Sequence, residues 1–211
     1  MLKIFVSWCL GGEIIHLNEE QQLALTVIRD INDTLKALLQ SHIPELAGEE
    51  AIVFDSPGDM EQPVTPKLSV FLYLITENPY LRNEEPLAVG LDKMRRPPLY
   101  LDLQYLFTPY AQNKETEMIV MESLIRTLYD YAILSGGQLQ GNLSGSGHDP
   151  LKITPKTLGL DELNKLWSVF PNKAFKLSVA YQVTPVIIQS DIVADITRVV
   201  EKKTVYQRMD I

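Results

Sequence analysis

The sequence of 211 residues has one cysteine, Cys9, and only three histidines, His16, His42 and His148. A lone cysteine supports neither a disulfide framework nor a thiolate metal cluster. The histidines are far apart, and none belongs to a pair with the spacing of metal ligands. We therefore predict a protein without metal or other cofactor.

The chain also lacks an excess of positive charge, since 19 Lys and Arg stand against 27 Asp and Glu, a net charge of −8. A nucleic-acid partner requires clustered cations, so this class of function is disfavoured. The apolar run 2–10 is far too short to cross a membrane, and GGE after it is a poor signal-peptide cleavage site. We predict that residues 1–22 form an N-terminal extension and that no part inserts into a membrane.

Motifs of nucleotide binding and of hydrolysis are missing as well. The segment 135–147, SGGQLQGNLSGSG, contains no phosphate-binding glycine pattern and no nucleophile elbow. His148 and Asp149 follow Ser146 directly, which is not by itself a triad. The segment is predicted to be a mobile connector, and the protein is predicted not to be an enzyme.

Two apolar strands, bracketed by prolines, form the predicted centre of the fold. Residues 68–75, LSVFLYLI, are apolar on both faces, which favours the middle of a sheet. Residues 99–107, LYLDLQYLF, alternate between apolar and polar, which indicates a half-buried strand. Residues 83–94 between them are predicted to be an exposed loop, and shorter or later strands are predicted at 51–55 and 175–188.

Three amphipathic helices are predicted at 23–40, 113–134 and 160–170 from apolar residues three and four apart. In the first, Asp30 and Asp33 are expected on the solvated face. Asn113 is expected to cap the second helix. Its predicted core stripe is Met118, Met121, Ile125, Leu128 and Ala132.

The third helix is predicted to bury Trp167. Helices interspersed among strands indicate an α+β fold, with a central mixed or antiparallel sheet packed by about three helices.

Asp102 is a carboxylate in the middle of the second central strand. Arg82, Arg95 and Arg96 lie in or beside the segment that joins the two strands. We interpret Asp102 and these arginines as a structural or intersubunit ion pair and predict all four at a subunit interface.

Several segments, in order, resemble one known family. They are DINDTLKALL, PKLSVFLYLITENPYLRN, RRPPLYLDLQYLFTPYA, DPLKITPKTLGLDELNKLWSVF and KLSVAYQVTPVII. They are similar to the cap, or tail terminator, of bacterial contractile injection systems, over about residues 23–188. The resemblance implies a cap domain at 23–189 with a fold like that of phage tail terminators.

The resemblance also implies a structural role. Six copies are expected to form a ring on the last layer of inner tube and sheath, away from the baseplate, and to couple tube to sheath. The implied location is the bacterial cytoplasm during assembly, and then the assembled particle. A neck or baseplate adaptor of the same machinery is the alternative, followed by an enzyme with an unrecognised site.

Residues 190–211 are predicted to be a C-terminal arm. They mix charged with β-branched residues and are too polar to build a core alone. Such a segment can add as a strand to an exposed sheath edge. The residues expected to bind sheath are Val199, Val200, Val205 and Tyr206. The alternative is a frayed tail or a terminal helix on its own domain.

Overall fold

The computed structural model describes residues 26–90, 92–143, 150–170 and 173–195, and the backbone pairing of residues 9–10 with 13–14. The helices are α1 (Val27–His42), α2 (Lys114–Asp130) and α3 (Leu160–Ser168). The strands are β1 (Cys9–Leu10), β2 (Glu13–Ile14), β3 (Ile52–Val53), β4 (Lys67–Glu77), β5 (Leu87–Ala88), β6 (Lys93–Arg95), β7 (Leu99–Tyr110), β8 (Ile133–Leu134), β9 (Leu151–Lys156), β10 (Val179–Ile188) and β11 (Val193–Asp195). His16, His148 and the predicted sheath-binding residues Val199, Val200, Val205 and Tyr206 lie outside the described residues.

Six strands form the main sheet in the order β3-β4-β7-β10-β9-β8. The short strand β3 runs parallel to β4, and every other pair in this sheet is antiparallel. The sheet is therefore mixed, as predicted. The three helices of the described ranges pack on it, which confirms the α+β class.

One face of the main sheet is covered by α1 and α2. α1 ends before Pro44, as expected, and the side chain of Asn113 caps α2 by accepting a 2.7 Å hydrogen bond from the Thr116 amide. Buried residues of both helices share one core with the inward side chains of the strands. This core includes Ile31, Leu35 and Leu39 of α1, Val120, Leu124 and Leu128 of α2, and Leu103, Tyr105, Phe107 and Val183 of the sheet.

The opposite face of the sheet is covered by α3. Phe170, just after this helix, packs edge-on against Phe71 of β4 with ring centroids 5.9 Å apart. Trp167 is buried beside Phe170, as predicted. The contact of α3 with the sheet is smaller than that of α1 and α2, since α3 has only nine residues and Trp167 alone is buried within it.

The two central strands have the opposite burial from the one predicted. β7 lies in the interior of the sheet and is buried on both faces from Leu101 to Tyr110. β4 has only the two-residue β3 on its outer side, paired at Leu68 and Ser69. Beyond that pairing β4 becomes the edge of the sheet, and its distal residues Leu74 and Ile75 are each 44% exposed. Alternation along one strand does not reveal which neighbour covers it.

Residues 83–94 were predicted to be an exposed loop, and the structure shows more order than that. They are exposed, except that Leu91 is not described and Met94 is partly covered. However, β5 and β6 form a hairpin here, whose turn contains Gly90 at φ 87°, a conformation that favours glycine. β11 pairs with β6, so these strands make a three-stranded antiparallel sheet in the order β11-β6-β5, called the small sheet below.

The predicted mobile connector is wrong for residues 135–143, while residues 144–149 lie outside the described residues. Leu139 and Leu143 are buried in the main core. The backbone amide of Asn142 donates a 3.1 Å hydrogen bond to Asp30 Oδ2. The backbone amide of Gln140 donates a 2.9 Å hydrogen bond to the Thr34 hydroxyl. These contacts hold the segment against α1.

The same contacts overturn the expectation for Asp30, which is only 3% exposed. Its carboxylate also accepts a 3.0 Å hydrogen bond from the Thr26 hydroxyl. Asp33 is exposed, as predicted. Both residues are predicted to be on the solvated face of α1. Asp30 is buried and Asp33 is not, because the segment 135–143 folds over α1 at Asp30.

Candidate interaction surfaces

An apolar groove of about 600 Å³ runs along the outer side of α2. The predicted core stripe of this helix is correct for Met121 and Leu128 and wrong for Met118 and Ile125, which are 62% and 42% exposed. α2 has a second apolar stripe that faces away from the sheet. The groove is lined by Met118, Met121, Glu122, Ile125, Arg126, Tyr129 and Leu177.

The far wall of the groove is held in place by a charged contact. Glu117 of α2 accepts a short hydrogen bond from Lys176, the neighbour of Leu177 in the chain, and another of 2.6 Å from Lys114. Burial alone raises the pKa of Glu117, but the two ammonium groups and the Ala111 amide outweigh it and lower the pKa of this carboxyl. The Lys176 ammonium also lies 4.4 Å from the centre of the Tyr110 ring.

The small sheet presents a row of side chains on one of its faces. Leu87, Arg95 and Val193 are directly paired across the three strands and therefore point to the same side. Leu87 and Val193 are exposed. The Arg95 Nε is buried without an acceptor among the described residues. The two exposed apolar side chains make this row a candidate contact surface.

Asp102, predicted to pair with an arginine, has other partners. Its Oδ1 accepts hydrogen bonds from Asn78 Nδ2 at 2.9 Å and from the Thr184 hydroxyl at 2.5 Å. The side chain is buried, and no ion pair to it occurs among the described residues. It ties the end of β4 to β10 across β7.

The three arginines differ in whether they have an ion-pair partner. Arg82 forms a two-point ion pair with Glu77, with contacts of 3.1 and 2.9 Å. Arg95 and Arg96 have no carboxylate partner within the described part of the chain. An interface role for Arg82, Arg95, Arg96 and Asp102 stays a prediction, and Arg95 and Arg96 are the two whose charges are available for it.

The small sheet lies at one end of the main sheet, and the groove begins at the other end. The small sheet follows the end of β4 and of β10 and precedes β7, so it lies where β7 begins. The groove begins where β7 ends, since α2 follows Tyr110 and Leu177 precedes β10, and it follows α2 back along the sheet as far as Tyr129.

Other kinds of site were sought in the described ranges. No three His, Cys, Asp or Glu side chains gather there in a way that could hold a metal ion. None of the helices described is long and apolar enough to cross a membrane. The interface role of Arg95 and Arg96 stays a prediction, and sequence reasoning missed the groove. The signal that could have found it is the spacing of Met118, Glu122, Ile125 and Tyr129, at intervals of four, three and four residues.

Comparison with solved structures places the fold in a defined class. The sheath/tube terminator of PVC, an extracellular contractile injection system, in its extended state, superposes with a TM-score of 0.60 and 21% identity over 87% of this chain. The tube-terminating cap of the anti-feeding prophage superposes with a TM-score of 0.58 and 23% sequence identity over 84% of this chain. The chain spans 64% and 61% of the lengths of these two proteins, less than two thirds. These likenesses establish a shared fold.

The family follows from the sequence itself. The family described as the Pvc16 N-terminal domain matches residues 30–202, and this chain belongs to it. No curated protein matches the chain.

Proposed function

We propose that this protein is the structural cap that terminates the inner tube and sheath of a contractile injection system at the end away from the baseplate. The observation that carries the proposal is the fold shared over most of the chain with a sheath/tube terminator and a tube-terminating cap. Membership of the Pvc16 N-terminal domain family supports it. The role is structural and not enzymatic.

Termination has a direct physical basis. A growing tube and sheath end in unpaired strand edges and apolar patches that accept the next subunit. A cap matches that end on one side and offers no equivalent end on the other. A ring of heterologous contacts, here a hexamer, closes on itself and leaves no lateral edge free. Such a ring binds tube and sheath together, and it assembles in the bacterial cytoplasm before becoming part of the particle.

The C-terminal arm remains part of the proposal, with a changed starting point. Residues 193–195 pair with β6 of the same chain, so the segment from Ser190 to Asp195 lies on its own small sheet. We place the sheath-binding part after Asp195, where Val199, Val200, Val205 and Tyr206 lie. Their β-branched and aromatic side chains suit strand addition to a sheath edge.

Deletion of the gene in the producing bacterium tests the cap function. Negative-stain electron microscopy is expected to show particles of uncontrolled length or a loss of stable sheath. Wild-type protein and the exposed-site variant Asp33→Ala are both expected to restore normal particles. Particles of normal length after deletion contradict the proposal. Normal tubes that lack a structure at the neck or baseplate identify the adaptor alternative instead.

A further inference from the structure

We propose that a register shift in β4 at Tyr73 blocks the outer edge of this strand, so that a second copy of the chain cannot pair with it. The blocked contact is the antiparallel pairing of one β4 edge with the β4 edge of another copy, a contact that is the same on both sides of a two-fold axis. This role does not depend on the proposed cap function.

The outer edge of β4 is open along its distal half. β3 pairs with β4 only at Leu68 and Ser69, and no other described strand pairs with the outer side of β4. Residues 72–77 read LYLITE, without the proline or lysine that commonly prevents pairing at an edge strand. Leu74 and Ile75 are each 44% exposed there. By composition and exposure alone, this edge should attract a further strand.

The register of β4 with β7 shifts by one residue within this stretch. Leu72 pairs with Tyr105 and Leu74 pairs with Gln104, so Tyr73 has no partner in β7. Two residues of β4 therefore take the place of one, which is the arrangement of a β-bulge. Every second residue of a regular strand directs its backbone N–H and C=O to the same edge, and an extra residue reverses this alternation.

Two backbone hydrogen bonds, one before and one after the shift, show the reversal. The Leu68 amide donates a 2.7 Å hydrogen bond to the Ala51 carbonyl, on the outer side of β4. The Asn78 amide donates a 2.8 Å hydrogen bond to the Tyr100 carbonyl of β7, on the inner side. An even number of positions separates Leu68 from Asn78, so both amides would face the same side of a regular strand.

The outward groups of β4 are therefore out of step across the shift. Before it they belong to Leu72, and after it they belong to Ile75 and Glu77. A regular strand offers hydrogen-bonding groups at every second residue, so a strand in step with Ile75 and Glu77 cannot also bond at Leu72. Two bonding residues are too few for a stable pair of strands. The edge is exposed but does not accept a strand.

A partly buried hydrogen bond holds Tyr73 at the shift. Its hydroxyl donates a 3.0 Å hydrogen bond to Oε1 of Gln104, a residue that is only 6% exposed. A buried amide oxygen that loses its donor costs free energy, so this bond favours the position of Tyr73 beside Gln104.

Removal of the extra residue tests the blocking role. The deletion variant lacks Tyr73 and carries Gln104→Leu, so that no buried amide is left without its donor. Because two residues take the place of one at the shift, the deletion closes the ladder without moving either half of β4. We therefore expect a cooperative melting curve. The matched control, Tyr73→Phe with Gln104→Leu, loses the same hydrogen bond but keeps the extra residue.

Analytical ultracentrifugation over a range of protein concentrations measures the association. The deletion variant is expected to form a species larger than any that the wild type forms, in an amount that rises with concentration. The matched control is expected to behave like the wild type. Addition of Ile75→Pro to the deletion variant removes an outward N–H from the edge and is expected to abolish the larger species.

Hydrogen exchange of the wild type, followed by NMR, checks the alternation itself. The outward amides of Ile75 and Glu77 are expected to exchange fast, and the inward amides of Leu74 and Thr76 to exchange slowly. The opposite pattern overturns the inference, because β4 would then have no reversal at Tyr73.

The inference is also overturned by a folded deletion variant that forms no larger species, or by a larger species that survives Ile75→Pro or appears equally in the matched control. A deletion variant that does not fold overturns it as well, because the shift is then needed for folding itself. None of these results bears on the cap function, which is judged by particle length after gene deletion.

Discussion

The main sheet and the small sheet are both antiparallel in most of their pairings, yet the first is a core and the second is a surface. β7 has α1 and α2 on one face and α3 on the other, and is buried from Leu101 onward. In the small sheet β5 and β11 are exposed throughout, and only Met94 and Arg95 of β6 are partly covered. Burial of apolar area stabilises the main sheet, whereas pairing between short strands holds the small one.

The difference separates two tasks within one chain. Residues of the main sheet determine whether the domain folds, and residues of the small sheet are free to be selected for contact with a partner. Substitutions should therefore have large effects on stability in one region and large effects on assembly in the other.

The strongest test places the same charge in each region. Leu103→Asp puts a lone carboxylate on the fully buried face of β7, at a cost of several kcal/mol, comparable with a domain stability of about 5–15 kcal/mol. We expect this variant to be unfolded. Leu87→Asp, in the exposed small sheet, is the matched control and is expected to melt like the wild type by circular dichroism. A normal melting curve for Leu103→Asp would show that β7 is not part of the core.

A smaller effect is expected where the segment 135–143 meets α1. Gly141 has φ 60°, and a Cβ there would lie 2.6 Å from Asp30 Cγ. Gly141→Ala combines backbone strain with displacement of Asp30, and we expect a loss of about 1–3 kcal/mol of unfolding free energy in urea titration. At Gly137 a Cβ meets nothing within 4 Å, so Gly137→Ala is the control, with a change within about 0.5 kcal/mol. Equal losses in both variants contradict the packed segment.

A pH-dependent effect is expected at the wall of the groove. The pKa of Glu117 is lower in the folded protein, mainly because Lys114 and Lys176 overcome the effect of burial. Its stabilisation is complete above the unfolded pKa and is lost as the pH falls through the folded pKa. Glu117→Gln should therefore lower the melting midpoint at neutral pH and make it less sensitive to acid. Glu115→Gln, an exposed change on the same helix, is expected to keep the wild-type pH profile. Identical profiles for Glu117→Gln and wild type contradict the contact.

The smallest effect on folding is expected from removing the arm. A protein that ends after Asp195 keeps β11 on the small sheet, and we expect an unchanged melting midpoint and an intact ring. It should no longer co-purify with sheath, because residues 196–211 provide the proposed added strand. A second truncation, after Ser190, also removes β11 and exposes the edge of β6. Comparison of the two truncated proteins separates the effect of losing the arm from the effect of losing β11. Normal sheath binding by the protein ending at Asp195 rules out the arm.

Local patterns in the sequence predicted the local structure well. The three helices, the cap at Asn113 and the strands β7 and β10 follow from the spacing of apolar residues. Two of the predicted bounds are wrong, since α2 ends at Asp130 and not at 134, and β10 begins at Val179 and not at 175. The family resemblance also pointed to the fold that the solved terminators share.

What sequence reasoning missed depends on contacts between distant residues. Asp30 becomes buried because Asn142 folds over it, 112 positions away. The hairpin at 87–95 gains its third strand from Val193, near the other end of the described chain. Met118 and Ile125 fit a helical core stripe as well as Val120 and Leu124 do, and only the sheet beneath α2 decides between the stripes.

As a cap, this protein is proposed to lie at the end of the particle away from the baseplate. Immunogold electron microscopy with an antibody against the protein, on intact extended particles, measures this directly. For a cap we expect label at one end of each particle, opposite the baseplate. Label at the baseplate end, or spread along the sheath, would contradict it.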